Sequence, residues 1–283
     1  ADHHTQCLQK IRKIRNTWRF LLGNLFDFNP ATDLVPLKDL HWLDRWILER
    51  GRQVANRVIE AYDQYEFHIV FHTLYNFFTV DLSSFYLDVI KDRMYCSAAG
   101  SLERRSGQTA IFQVLHNTLR LMAPILPFTS EEVWEVVPDY PGKEESIHLC
   151  SFPEEKEVWL SDDNLKKAER LLQIRGEVQK ELEKARDNKL VGNSLEAQII
   201  IQSPPDDFDL LAEFCPDLPM IFIVSAVRVE PSANSGLKIR VERAAGQKCE
   251  RCWNYSTSVG QNPDYPQVCS RCLEVLQADD KNK

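Results

Sequence analysis

Two Cys-x-x-Cys pairs separated by sixteen residues, Cys249-Glu250-Arg251-Cys252 and Cys269-Ser270-Arg271-Cys272, restrict the end of this chain more tightly than any other feature. That spacing matches a tetrahedral zinc site. Each pair forms a tight knuckle that presents two thiolates to one ion, and the intervening segment lets the knuckles face each other. The segment carries Gly260, Asn262, Pro263 and Pro266, so turns are expected there. Four thiolates would leave no open coordination position, which makes such a site structural and not catalytic. Two disulfides, a redox pair or an iron–sulfur site are the alternatives. The redox pair is disfavoured because Cys249 and Cys252 lack a strand-to-helix setting. Lys248, Arg251, Trp253, Tyr255 and Arg271 lie between and beside the ligands. Cations and aromatics on a small rigid knuckle suit a nucleic-acid surface.

The 283 residues suffice for two domains, and 43% hydrophobic with 27% charged residues is ordinary for a globular protein. No run reaches the roughly 18 apolar residues of a membrane span, so no membrane partner is expected. A net charge of −8 argues against broad, non-specific binding to nucleic acid, so any such contact must be local and shaped. The chain opens Ala1-Asp2-His3-His4, without an initiator Met or a targeting segment, and is expected to be a piece of something longer. Cys7, Cys96, Cys150 and Cys215 are scattered and are expected as reduced thiols, which implies a reducing compartment.

Helical spacing dominates the first half. Residues 5–27 read as a helix through Leu8, Ile11, Ile14, Trp18, Leu21 and Leu25, stopped by Asn29-Pro30. Arg12, Arg15 and Arg19 share another stripe, either a solvated basic face or a ridge that meets phosphates. Asp39 is the expected N-cap of a second helix. A third helix is expected over 67–91, with Phe71, Leu74, Phe78, Leu82, Phe85 and Val89 inward, and a fourth over 107–122. His116 is expected on the polar flank of the fourth. Thr129-Ser130-Glu131-Glu132 has the form of a capping box, opening a short helix through Val137. These helices predict an antiparallel bundle over 1–137.

Residues 138–160, with Pro138, Pro141, Gly142 and Pro153, read as a linker packed on the surface. A helix over 165–187, with Leu165, Ala168, Leu172, Val178 and Leu182 inward, opens a subdomain over 161–245. Strands are expected at 197–201, 220–229 and 237–241, with a short helix at 207–214 between the first two. The knuckle and a tail occupy 246–283. The fold class is therefore mainly α, a helix bundle followed by a small α/β unit and a four-Cys zinc knuckle. No phosphate-binding glycine loop, dinucleotide fingerprint, His-Glu-x-x-His or Gly-x-Ser-x-Gly occurs. No catalytic residue is assigned, and a chain that binds or scaffolds is the expectation.

Several stretches resemble the anticodon-binding part of isoleucyl-tRNA synthetases. Ile11-Arg12-Lys13-Ile14-Arg15-Asn16-Thr17-Trp18-Arg19-Phe20-Leu21-Leu22-Gly23-Asn24-Leu25 is similar to the family's first helix of that domain. Asp44-Arg45-Trp46, Lys91-Asp92-Arg93-Met94-Tyr95-Cys96, Arg104-Arg105-Ser106-Gly107-Gln108-Thr109 and Ala123-Pro124-Ile125-Leu126-Pro127-Phe128-Thr129 follow in the family's order. Gly192-Asn193-Ser194-Leu195-Glu196-Ala197 and Lys248-Cys249-Glu250-Arg251-Cys252-Trp253 complete the resemblance over nearly the whole chain. The bundle motifs are shared loosely with valyl, leucyl and methionyl enzymes. The four-Cys knuckle is more specific to isoleucyl enzymes of bacterial type.

The resemblance implies the anticodon-binding bundle of class I synthetases and a tRNA-Ile partner. It implies one structural zinc on Cys249, Cys252, Cys269 and Cys272. ATP, magnesium, aminoacylation and editing belong to the catalytic and editing domains of the parent, whose His-Ile-Gly-His and Lys-Met-Ser-Lys-Ser signatures are absent here. Residues matching Arg251 and Trp253 lie at the anticodon in the family; the alternative for Trp253 is packing within the knuckle. Arg12, Arg15, Arg19 and Lys248 are the expected phosphate contacts. A monomer is expected, in the mitochondrial matrix or, alternatively, the bacterial cytoplasm. A free-standing RNA-binding module and a protein-interaction scaffold are the competing functions.

Overall fold

The computed structural model describes residues 2–154, 159–233 and 236–281, without the side chains of residues 2–4, 7 and 279–281, so the expectation of a reduced thiol at Cys7 lies outside the described residues. The chain forms two compact units. One comprises residues 1–94 and 99–161, the other residues 95–98 and 162–283. The expected linker over 138–160 thus falls inside the first unit, and the α/β subdomain and the knuckle share the second.

In the first unit, α1 (Asp2–Gly23) buries Ile14, Trp18 and Leu21. The Trp18 indole N–H donates to Thr118 Oγ1 at 3.0 Å and its ring meets Phe78 edge-on. The helix stops at Gly23, before Asn29-Pro30. There Asn24 turns its side-chain amide onto the Phe20 carbonyl, which closes the end of the helix. α2 (Trp42–Asp63) is capped by His41, whose Nδ1 accepts from the Leu43 amide at 3.2 Å. Asp39 instead sits in a 3-10 turn, Leu37–Asp39. Tyr65, at φ 59°, ends α2 in the left-handed conformation, and the Glu66 amide closes back on the Ala61 carbonyl.

The expected single helix over 67–91 is three segments. α3 (Phe67–Asn76) passes into a π-helix, Phe77–Tyr86, before α geometry returns in α4 (Leu87–Val89). Ser83 and Ser84 donate to the carbonyls of Phe78 and Thr79, five residues back, in step with the wider turn. The wider turn rotates the apolar stripe, so both residues of Phe77-Phe78 and of Phe85-Tyr86 are buried. Phe71 lies off that stripe, half-buried and stacked on Tyr75. α5 (Lys91–Cys96) and α6 (Leu102–Met122) follow, with Ser101 capping the Arg104 amide. α7 (Pro127–Trp134) starts at Pro127 without a side-chain cap. Thr129 lies inside it and Glu132 turns to Arg15, so the expected capping box does not form. Glu131 reaches the Ile147 amide at 3.0 Å and Trp134 donates to the Glu144 carbonyl. These bonds fix the 3-10 turn Ile147–Leu149 against the bundle and bury Ile147.

His116 is not on a polar flank. It is half-buried among Phe112, Trp134 and Tyr140, with Nε2 2.6 Å from the Tyr140 hydroxyl. Burial, then the charge of Arg120, pull it from the ordinary 6.5 down to about 4.

In the second unit, α8 (Asp162–Asp187) buries Ala168, Leu171, Ile174, Val178 and Leu182, while Leu165 and Leu172 lie at the margin of that face. The sheet has β1 (Ala197–Ser203) at its centre. β2 (Ala226–Pro231) pairs parallel to it and β3 (Lys238–Arg243) antiparallel, giving the order β2-β1-β3. Flanked on both edges, β1 needs the continuous apolar run Ile199-Ile200-Ile201. The parallel step is bridged by α9 (Pro205–Glu213) and α10 (Leu218–Phe222). The expected strand over 220–229 is therefore helix, then strand. Pro219 starts the helix, and Ile223 at φ 56° ends it.

The knuckle adds a two-stranded ribbon, β4 (Gln247–Lys248) with β5 (Tyr255–Ser256). The expected tail is a helix, α11 (Ser270–Lys281). Gly246, at φ 87°, brings the ribbon so close that a Cβ would lie 2.2 Å from the Ser256 backbone.

Candidate metal centre and its outer face

The first Cys pair rides the turn between β4 and β5. The Trp253 amide donates to the Cys249 carbonyl at 2.9 Å, and the Cys249 amide to the Asn254 carbonyl at 2.9 Å. The turn closes only because Trp253 adopts φ 65°, a conformation that costs a bulky residue roughly 1–3 kcal/mol. The second pair sits at the start of α11, where the Cys269 amide points at Cys249 Sγ, 3.3 Å away. Between them, Asn262 Oδ1 accepts from the amides of Asp264 and Tyr265, which makes the connecting segment a set of turns.

The four sulfurs are buried and lie within 4.8 Å of one another. Cys252 Sγ and Cys269 Sγ are 3.7 Å apart. A tetrahedron with Zn–S bonds of about 2.3 Å has edges of about 3.8 Å, so the donor set fits a zinc ion. A disulfide requires about 2.05 Å, and all four cysteines are free. The contact with Cys272 favours a thiolate on Cys252, pulling it down to about 4, and pushes Cys272 up. Val259, Val268 and Cys96 pack on the cluster. Cys96 was not expected here; its only sequence signal is its place at the end of Lys91-Asp92-Arg93-Met94-Tyr95-Cys96.

The flanking cations divide into two groups. Arg251 donates through Nη1 to the Cys96 carbonyl, while Cys96 Sγ faces the Arg251 carbonyl at 3.6 Å; its guanidinium opposes the rise of the Cys272 thiol. Arg271 helps to hold the Cys252 thiol down. Four thiolates on a divalent ion leave a net charge of about −2, which these guanidiniums offset. Lys248 and Trp253 face outward. The indole is 60% exposed and the Lys248 ammonium lies 5.3 Å from its ring centre. Trp253 is therefore not packed in the knuckle's own core.

The α1 ridge belongs to the other unit. Arg12, Arg15 and Arg19 are all exposed, as their spacing implies. Arg15 pairs with Glu132, whereas Arg12 and Arg19 have no ion-pair partner among the described residues. Other motif arginines are structural. Arg93 bonds Asp44, and Arg104 and Arg105 bond around Asp27.

Residues 44–201 match the family described as the anticodon-binding domain of tRNA ligase, and residues 246–275 match the zinc finger found in FPG and IleRS. The chain is similar to proteins named isoleucine–tRNA ligase. It is 45% identical to that of Desulforudis audaxviator over 282 residues, which covers 96% of this chain and 30% of the relative. It is 43% identical to that of Syntrophotalea carbinolica, covering 94% of this chain and 29% of the relative. It is 43% identical to that of Moorella thermoacetica, covering 96% and 30%. The chain thus spans about 30% of the length of the curated relatives it matches. With the zinc-finger match and the buried four-Cys cluster, the metal is one structural zinc.

Proposed function

The chain belongs to the family of anticodon-binding domains of tRNA ligases, and we propose that it recognises the anticodon stem-loop of tRNA-Ile as the tRNA-gripping part of an isoleucine–tRNA ligase. The parent would attach isoleucine to that tRNA with ATP and magnesium bound in its catalytic domain. The proposal rests chiefly on the pairing of an exposed, backbone-fixed Trp253 with Lys248 on the outer face of the knuckle.

Anticodon bases are unstacked, so a presented indole can stack on one and an ammonium beside it can meet the adjoining phosphate. We assign those roles to Trp253 and Lys248. Arg251 carries five N–H donors, of which one reaches the Cys96 carbonyl. The rest are assigned to a base edge. Arg12 and Arg19 are the better phosphate contacts of the α1 ridge, because Arg15 already has Glu132. The protein is read as a monomer of the mitochondrial matrix, with the bacterial cytoplasm as the alternative, a choice that fractionation of the source cells decides.

The test is a titration of the zinc-loaded chain against tRNA-Ile and an anticodon-swapped version of it, at fixed salt. Tighter binding to the native anticodon supports the reading. Equal binding to both removes the anticodon role, and absence of binding favours a protein-interaction scaffold.

A further inference from the structure

The helical unit contains a charged concavity. On α2, Arg50 and Arg57 are seven residues apart and share one face. On α3, His68 and His72 are one turn apart. All four line a cavity of about 490 Å3 whose floor includes the buried Phe77.

Charge is unevenly spread along it. At one end Arg50 lies 3.5 Å from Asp81 and donates to Gln53 at 2.6 Å, so its cation is matched. Burial raises the Asp81 carboxyl and the Arg50 charge opposes that rise. Two helical turns on, about 10 Å along the axis, Arg57 has no acidic partner among the described residues. His68 and His72 are both exposed and line the same cavity. On a chain of net charge −8, an unmatched guanidinium that shares a cavity with two imidazoles is a place for an anion.

A guanidinium fork matches two oxygens of a phosphate, and imidazole N–H groups supply further donors. We propose that the α2–α3 cavity holds a backbone phosphate of the bound RNA, with Arg57 as the principal donor and His68 and His72 flanking it. This rests on the tRNA-binding reading above. The contact positions the RNA and carries no sequence information. Free phosphate offers the same chemistry, so the test has two arms.

The first arm follows the His68 and His72 ring resonances of the zinc-loaded chain by NMR during titration with inorganic phosphate. Saturable shifts, lost in Arg57→Ala and kept in Arg57→Lys, are expected; absence of saturable shifts overturns the anion site. The second arm measures tRNA affinity across a salt series. Arg57→Ala should reduce the slope of log K against log salt by about one. It should leave the preference for the native anticodon unchanged, and Arg57→Lys should restore the slope. An unchanged slope in Arg57→Ala, with phosphate shifts present, overturns the RNA assignment and leaves a free-anion site. If the wild-type chain binds no tRNA, the functional reading itself fails and the RNA assignment with it, while the first arm still decides the anion site.

Discussion

Asp44 and Arg93, 49 residues apart in sequence, form a buried ion pair, with Arg93 Nη1 3.1 Å from Asp44 Oδ2. The Tyr86 hydroxyl donates to the same carboxylate at 2.7 Å, and the Ser106 hydroxyl completes its shell while accepting from the His41 amide. Asp44 of Asp44-Arg45-Trp46 and Arg93 of the motif that begins at Lys91 therefore meet in one polar node of the helical unit.

Removal of one partner from this node is expected to be severe. Asp44→Ala leaves a buried guanidinium without its carboxylate, at a cost of about 3–5 kcal/mol. Burial alone would raise the Asp44 carboxyl, but the charge and hydrogen bonds of Arg93 overcome it, and the net effect holds Asp44 below the ordinary carboxylate range. Asp27, beside Arg104, Gln108 and Arg105, is held down likewise. The stabilisation from both is fully present above the unfolded carboxylate value of about 4 and is lost as pH falls through the lower folded values. Urea unfolding of wild type and Asp44→Ala between pH 5 and acid conditions measures it, and the gap between the two proteins should narrow as pH falls.

His116 sets a different window. Its folded value, about 4, lies below the unfolded 6.5. The unfolded chain binds a proton first as pH drops, so stability is flat above about 6.5 and declines toward pH 4, by up to roughly 3 kcal/mol. His116→Phe keeps the stack with Phe112 and should flatten this part of the profile. An unaltered slope between pH 6.5 and 4 in that variant would place the proton uptake elsewhere.

Chelation of the zinc is expected to melt the knuckle and spare the helical unit. Residues 246–281 close around the four sulfurs with Val259 and Val268 as their main apolar packing, too little to fold without the metal. Hydrogen exchange after chelator addition should lose protection at Cys249, Cys252 and α11 and retain it in α2 and α6. Cooperative melting of the whole chain would contradict the two-unit organisation.

Trp253 separates backbone strain from ring function. Trp253→Ala should weaken tRNA binding by about 1–3 kcal/mol, the worth of one base stack. Trp253→Gly removes the ring and also relieves the φ 65° strain, so it should match Ala in lost binding yet exceed it in stability by about 0.5–1 kcal/mol. A glycine variant that binds tRNA like wild type would remove the stacking role.

The sequence carried local rules well and long-range pairings poorly. The Cys spacing located the metal centre because a tetrahedron demands it, and apolar stripes located α1, α2, α6 and α8 because burial selects one helix face. The π-helix was not legible: Phe77-Phe78 and Phe85-Tyr86 satisfy an α stripe nearly as well, and only the serine bonds across five residues reveal the wider turn. The apolar run at 220–229 fits helix or strand, and Pro219 was the overlooked signal. The Arg15 pairing reaches across 117 residues to Glu132, and nothing local in a basic stripe announces which member will be neutralised.

The metal centre also imposes an order in time. Cys96 and Arg251, 155 residues apart, grip each other's backbone within one compact unit. A ribosome adding about 5–20 residues per second makes the first of these on the order of ten to thirty seconds before the second. Throughout that interval the nascent Cys96 thiol has no knuckle to cover it, while the helices before it are already made. Assembly of the zinc site is thus the late event that turns Cys96 from an accessible thiol of a growing chain into a packed one.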